Sequence, residues 1–505
     1  MSQYLVGIDA GTTGCKTCIF DVEGTVIASD YREYPSYYPK PGWVEQLSED
    51  LVPPLFDSCK AAVERSGVDP AEIVALAIST QGSIIGLLDE RGETIRPWIG
   101  WQDLRGEPYL EEIKKLIPQD RYYQITGDPL GAIFSITKLA WLKHNEPDNW
   151  ARTELFSTEQ DFLLRQWGAD EYWTDLSSSS REGMLDIDNF VWSKEIHDLM
   201  GIPLDKRAKI STEPGQVVGR LSKEVAERSG LAEGTLLCVG AHDQNCSTFG
   251  AGAVRGGDTV MVIGTFGSCF VVMDESKRDP NAKLVVKPNH GLDNWTIEAF
   301  SVTSASAFRW YRDTFADLEV AASKQLREDP YDLITRAIAG VPPGADGITF
   351  LPFLQGASGA RLNANARGTF VGMSLGTSKA AMARAVLEGI SFEMKDILLA
   401  QAAAGIDIGV IRLTGGAAKS PMWCQMLADI FQRPIELLQT SETGALGAAL
   451  YAGVGAGIYA DCTEAAERAV KISQRFEPDP TVADQYEEAF DRFVGVYEAL
   501  AGRVF

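Results

Sequence analysis

The stretch Leu5-Val6-Gly7-Ile8-Asp9-Ala10-Gly11-Thr12-Thr13-Gly14-Cys15-Lys16 carries the residue types of a phosphate site. Gly11 lets the backbone approach an anion closely, and the N–H groups and hydroxyls after it can donate to phosphate oxygens. A bare carboxylate at Asp9 would repel that phosphate. Asp9 makes chemical sense when a divalent cation, Mg²⁺ with its waters, lies between the two. The same residues also suit an ordinary Gly/Thr hairpin, because short Gly-rich motifs are common.

The elements around this turn read as α/β. Strands are expected at 4–9, 16–21 and 25–31, then an amphipathic helix at 48–66 with Ser48 as N-cap. A buried strand at 73–79 delivers Thr80-Gln81-Gly82-Ser83, and a short apolar segment delivers Trp101-Gln102-Asp103-Leu104-Arg105. The polar run Asp175-Leu176-Ser177-Ser178-Ser179-Ser180-Arg181 reads as a surface loop. A strand at 237–240 ends in Ala241-His242-Asp243-Gln244-Asn245, where Asp243 suits a helix N-cap as well as a catalytic carboxylate. Strand, Gly/Thr turn and strand recur around Gly264-Thr265-Phe266-Gly267-Ser268. This echo of the opening motif suggests a duplication, with domains at 1–245 and 246–505. Further on come a helix at 381–395, the strand and turn Leu413-Thr414-Gly415-Gly416-Ala417-Ala418, and a charged amphipathic helix at 482–500.

Composition narrows the function. The chain has 505 residues, 23% charged and 45% hydrophobic, as in an ordinary globular enzyme with room for two domains. Its net charge of −24 argues against a nucleic-acid partner but not against a nucleotide held by Mg²⁺. The N-terminus has no basic n-region, so no signal peptide is expected. The uncharged stretch 444–460 is mostly Gly and Ala, and a buried, close-packed helix suits it better than a membrane span. The scattered cysteines fit reduced core thiols in a cytoplasmic protein. Cys15 and Cys18 face opposite sides of a strand and make no metal site. The histidines form no metal-ligand spacing. Two look-alikes fail on context. Gly11–Thr17 joins two strands instead of opening a helix, and the Rossmann-like spacing at 455–460 closes a helix instead of following a strand.

With these motifs in order, the chain resembles the FGGY carbohydrate kinases over residues 4–455. Phe134-Ser135-Ile136-Thr137-Lys138-Leu139-Ala140-Trp141-Leu142 is similar to the first family signature, with Ile133 and His144 departing from it. Gly368 to Met373, followed by Met382 to Gly389, is similar to the second, with Ala381 departing. The resemblance implies two actin-like, ribonuclease H-like domains with an active-site cleft between them. It implies Asp243 as general base toward a sugar hydroxyl. His242 beside it reads as structural or as a support behind that base, because neighbours on an extended segment point apart. The resemblance implies Asp9 on Mg²⁺ through water; Thr12, Thr13 and Lys16 on phosphate; Gly264 and Thr265 as a second phosphate turn; and Gly415, Gly416 and Ala417 against adenosine. Gln81, Gly82, Ser83, Trp101, Gln102, Asp103 and Gln244 would face the acceptor.

Within the family, xylulokinases carry Met-His after the glutamine and glycerol kinases Arg-Glu, where this chain has Gly82-Ser83. The small pair is expected to leave extra room or a differently shaped pocket. Overall spacing resembles xylulokinases most, which implies an ATP-dependent kinase of a ketopentose such as D-xylulose. An erythritol-like polyol or another ketose stays open, and a homodimer is possible. A non-enzymatic nucleotide-gated module on the same scaffold needs no sugar base. An iron–sulfur activator needs clustered cysteines, which this chain lacks.

Overall fold

A computed structural model describes residues 3–505. Its frame is two sheets built on the same plan. In the first, the hairpin Tyr4–Ala10 and Gly14–Asp21 is antiparallel, and Ile73–Thr80 runs parallel to its first strand. The full order is Val217–Arg220, Leu236–Cys238, Ile73–Thr80, Tyr4–Ala10, Gly14–Asp21, Val26–Glu33. In the second, the antiparallel hairpin Thr259–Ile263 and Gly267–Met273 is joined by the parallel strand Ile411–Gly415. That sheet has seven strands, from Val285–Pro288 at one edge to Ile472–Phe476 at the other. The expected repeat of strand, Gly/Thr turn and strand is therefore present. The model is α/β throughout.

Helices cover both sheets. Ser48–Ser66 lies on the first and Lys379–Ala402 on the second. Ser48 is not the N-cap as expected. Leu47 holds that position without a side-chain bond, and the Ser48 hydroxyl instead meets Thr94 Oγ1 at 3.0 Å.

The uncharged stretch forms the buried helix Thr443–Gly455, which lies on the first sheet although in sequence it falls between two strands of the second. At some contacts its neighbours leave no space for a side chain. A Cβ on Gly7 would fall 1.8 Å from the Ala445 carbonyl oxygen, and one on Gly447 would fall 1.9 Å from that of Cys246. Glycine permits backbone to touch backbone there. This helix also packs on the short helix Asp243–Gly250, which straddles the boundary between the halves. Among the described residues, no helix is long and apolar enough to cross a membrane.

The serine run is not a surface loop. It forms the helix Leu176–Ser180, capped by Asp175, which accepts from the Ser177 and Ser178 amides, and all five helical residues are buried.

Candidate active site

Three strands of the first sheet end side by side: Tyr4–Ala10, Ile73–Thr80 and Leu236–Cys238, the last continuing to a bridge between Thr80 and His242. Ligands of open α/β sheets gather at such carboxyl ends. Asp9, Gln81 and Asp243 are brought together here from distant parts of the sequence.

Asp9 sits opposite Lys16 in the hairpin and beside Ser79, whose hydroxyl donates to Asp9 Oδ1 at 2.8 Å. Burial, then the nearby Asp243 carboxylate, pushes the Asp9 carboxyl up to about 7. The turn is braced by Gly11 N–H donating to the Gly14 carbonyl at 3.0 Å. Trp101 Nε1 donates to Thr12 Oγ1 at 2.9 Å, which ties the Trp101 segment to the turn after Asp9. Thr13 is exposed. Lys16, expected on phosphate, pairs with Glu442 at 2.6 Å, just before the Thr443–Gly455 helix.

Asp243 is the first residue of its helix, not its cap; His242 holds the cap position. The helix starts at this point and turns the chain, so the two side chains do not point apart as expected. His242 Nε2 lies 2.9 Å from Asp243 Oδ1, which also accepts from the Gln244 amide at 2.6 Å. Burial pushes the Asp243 carboxyl up, but His242, Arg181 and the Gln244 N–H together outweigh it and hold the group below its ordinary value. The serine helix fixes this geometry from behind, because Ser177 Oγ accepts the His242 amide at 3.0 Å. Gln244 is half-buried beside the base.

The acceptor loop differs most from expectation. Gly82 leaves no extra room: a Cβ there would fall 2.5 Å from the His242 ring and 2.7 Å from Arg181 Cγ. Ser83 is buried with a left-handed φ of 57°, and its hydroxyl donates to the Arg181 carbonyl at 2.8 Å. Gln81 donates to Gln46 Oε1 at 2.8 Å and keeps its own Oε1 without a partner. Gln102 is exposed. Asp103 is unavailable to an acceptor. It is fully buried, and both its oxygens are taken up by Arg105 and the Val44 amide.

The two turns of the second half expected against the nucleotide lie next to each other, because Ile263 pairs with Gly415. Gly264 N–H bonds the Phe266 carbonyl at 3.0 Å and leaves Thr265 exposed at the tip. Gly415 has φ 87°, and a Cβ there would fall 2.7 Å from the Ile263 carbonyl oxygen, so only glycine suits the turn. Gly416 is exposed, whereas the Ala417 methyl points into the core, leaving only its backbone for a nucleotide.

Sequence reasoning missed two buried ion pairs linking the halves: Arg181 to Glu298 and Lys287 to Asp128, each at 2.6 Å. It also missed Glu159, a buried carboxyl without a partner that burial and the nearby Asp243 and Asp9 push well up. Arg181 closes the serine run, the one local signal that was available.

Residues 4–250 match the N-terminal domain, and 259–456 the C-terminal domain, of the FGGY family of carbohydrate kinases. Among relatives, the gluconokinase of Bacillus subtilis (strain 168) is 27% identical, over 99% of this chain and 96% of its own. The xylulose kinase of the same strain is 28% identical, over 98% and 97%. The autoinducer-2 kinase of Enterobacter sp. (strain 638) is 29% identical, over 99% and 95%. Among solved structures, the gluconate kinase from Lactobacillus acidophilus superposes with a TM-score of 0.90 at 26% identity, covering 100% of this chain and 99% of that one. The ligand-bound xylulose kinase from Lactobacillus acidophilus gives 0.89 at 26%, covering 99% of both. The two sheets, the paired turns and these matches agree, and the chain belongs to the FGGY family of carbohydrate kinases.

Proposed function

We infer that this kinase transfers the γ-phosphate of ATP to a hydroxyl of a small neutral carbohydrate, a ketopentose such as D-xylulose, with Asp243 as the base. The observation that carries this reading is the Asp243 carboxylate, held ionised between His242 and Arg181 where three strands end. His242 fixes Oδ1 and leaves the other oxygen to accept the proton of the attacking hydroxyl. The hydroxyl oxygen bonds to the γ-phosphorus as the bond to ADP breaks, a step that needs positioning and charge neutralisation more than strong base chemistry. Thr12, Thr13 and the Gly264-Thr265 turn offer donors to the phosphates. Gly415 and Gly416 offer bare backbone to the nucleoside.

The donor set near Asp9 suits Mg²⁺. Among the described residues, no group of three or more His, Cys, Asp or Glu side chains is placed to hold a metal. A cation bound through Asp9, water and nucleotide phosphates needs no such cage. Bound there, Mg²⁺ would neutralise charge on the phosphates. Asp9→Asn is expected to raise the magnesium concentration for half-maximal turnover at least about tenfold, as loss of one charged ligand should, while ADP still binds. A magnesium titration of activity with calorimetry on ADP checks this. An unchanged midpoint would remove Asp9 from the metal site.

The relatives' names span a sugar acid, a ketopentose and a signalling molecule, so identity at this level does not choose the acceptor. An ADP-release assay with Mg-ATP over D-xylulose, L-xylulose, D-ribulose, L-ribulose, erythritol, glycerol and hexitols tests the reading. Strong turnover of one ketopentose is expected. Turnover of a polyol alone would keep the chemistry and move the substrate.

A further inference from the structure

Arg181 and Glu298 come from different halves. Arg181 follows the buried serine helix, and Glu298 lies on the strand Trp295–Ser301 of the second sheet. On that strand Ile297 and Ala299 belong to the second half's own core, so Glu298 faces the other way, toward the first half. Gly82 has no side chain, and Arg181 and His242 fill the space one would take, which sets the guanidinium stem next to the base.

The pair is only partly satisfied. Arg181 Nη2 meets Glu298 Oε1 at 2.6 Å, yet Arg181 Nε and Glu298 Oε2 are buried without partners. Buried polar atoms without partners are costly, and two of them on one pair beside a reactive carboxylate call for a ligand that returns the bonds. The pair offers one donor and one acceptor. A hydroxyl both gives and takes a hydrogen bond, so neighbouring hydroxyls of a carbohydrate match it. A carboxylate does not. Glu298 already neutralises Arg181, Asp128 neutralises Lys287, and Asp243, held below its ordinary value, adds negative charge.

We propose that Arg181 and Glu298 are the acceptor-specificity pair of this kinase, reading neutral hydroxyls from both halves of the molecule and rejecting sugar acids. The pair joins the two halves and is buried, so separation of the halves would expose both residues and closure on an acceptor would complete their bonds. This rests on the reading that the acceptor lies beside Asp243.

The test is steady-state ADP release by the full chain with D-xylulose, D-glucitol and D-gluconate as probes. The wild type should favour a neutral acceptor over D-gluconate. Glu298→Gln keeps shape and uncovers the guanidinium charge. It should raise KM for the neutral acceptor about tenfold or more, the size of one hydrogen bond to a charged group, and leave KM for ATP unchanged. It should also shift the ratio of kcat/KM toward D-gluconate by about tenfold or more. The double variant Arg181→Met with Glu298→Met removes the pair without stranding a charge, and should stay folded while losing that discrimination. Wild-type preference for D-gluconate would overturn the proposal and leave the kinase reading standing. So would variants that lose kcat equally on every acceptor with KM unchanged, because the pair would then only join the halves. An active Asp243→Asn variant would overturn the base assignment while the selectivity comparison still stands.

Discussion

Asp243→Asn lowers kcat about a thousandfold, within the range of a lost general base, while ATP affinity stays near that of the wild type. Asparagine keeps the volume and can still accept the His242 N–H through its carbonyl oxygen, so the helix start at 243 survives. What it loses is the ability to take the hydroxyl proton. ADP release measures the first effect and calorimetry with ATP the second; near-normal turnover would remove Asp243 from the chemistry. The pH profile gives a second reading. The base works only when ionised, so activity dependent on it falls as pH drops through its pKa. His242, Arg181 and the Gln244 amide hold that pKa below the ordinary value. Any acid limb due to Asp243 should therefore lie below about pH 4, the unperturbed aspartate value, and turnover at pH 5 to 7 should show none from this group.

Gly447→Val costs about 3 kcal/mol or more of stability, at or above the upper end of ordinary overpacking. A Cβ at this position would fall 1.9 Å from the Cys246 carbonyl oxygen. The obstacle is backbone, which no rotamer change can move aside, so the two crossing helices must separate. Cys246 lies in the helix that Asp243 opens, so the displacement also reaches the base and kcat falls with stability. Urea unfolding and ADP release measure the two effects. Gly495→Ala is the control: it lies in the helix Ala483–Leu500 with nothing within 4 Å of its Cβ position, and it should be neutral or mildly stabilising. A Gly447→Val protein as stable as the wild type would show that the two helices pack less tightly than described.

What the sequence revealed was local. The turn after Asp9 and the echo at Gly264 could be read because strand, glycine and hydroxyl residues follow one another within a few positions. The buried 443–455 helix could be read from its uninterrupted small residues. The errors arose where the deciding partner lies far off in sequence. Asp103 looked like an acceptor contact until Arg105 and the Val44 amide took up its oxygens. Gly82 looked like empty space until Arg181, from a distant helix, was found there. The serine run looked solvated because its burial depends on distant partners such as His242 and Lys287 and on Asp175 capping its start. The direction of His242 was misjudged for a nearer reason: the helix begins one residue later and turns its ring onto Asp243, where it supports that carboxylate. The Arg181–Glu298 pair has no sequence signature, because nothing local links a residue after a serine run to a strand in the other half.

The position of the Thr443–Gly455 helix also sets an order on the birth of the protein. One face of the first sheet, with Leu5, Phe20, Ala75 and Ala77, is covered by Ala445, Leu446, Ala449 and Leu450, then by Ala465, Ala466 and Ala469. A ribosome makes that sheet early and its cover near the end. Until then the first half carries an open apolar face, the kind of surface that draws chaperones or neighbouring chains. A chain released before residue 469 would lack part of the wall that makes its own beginning stable.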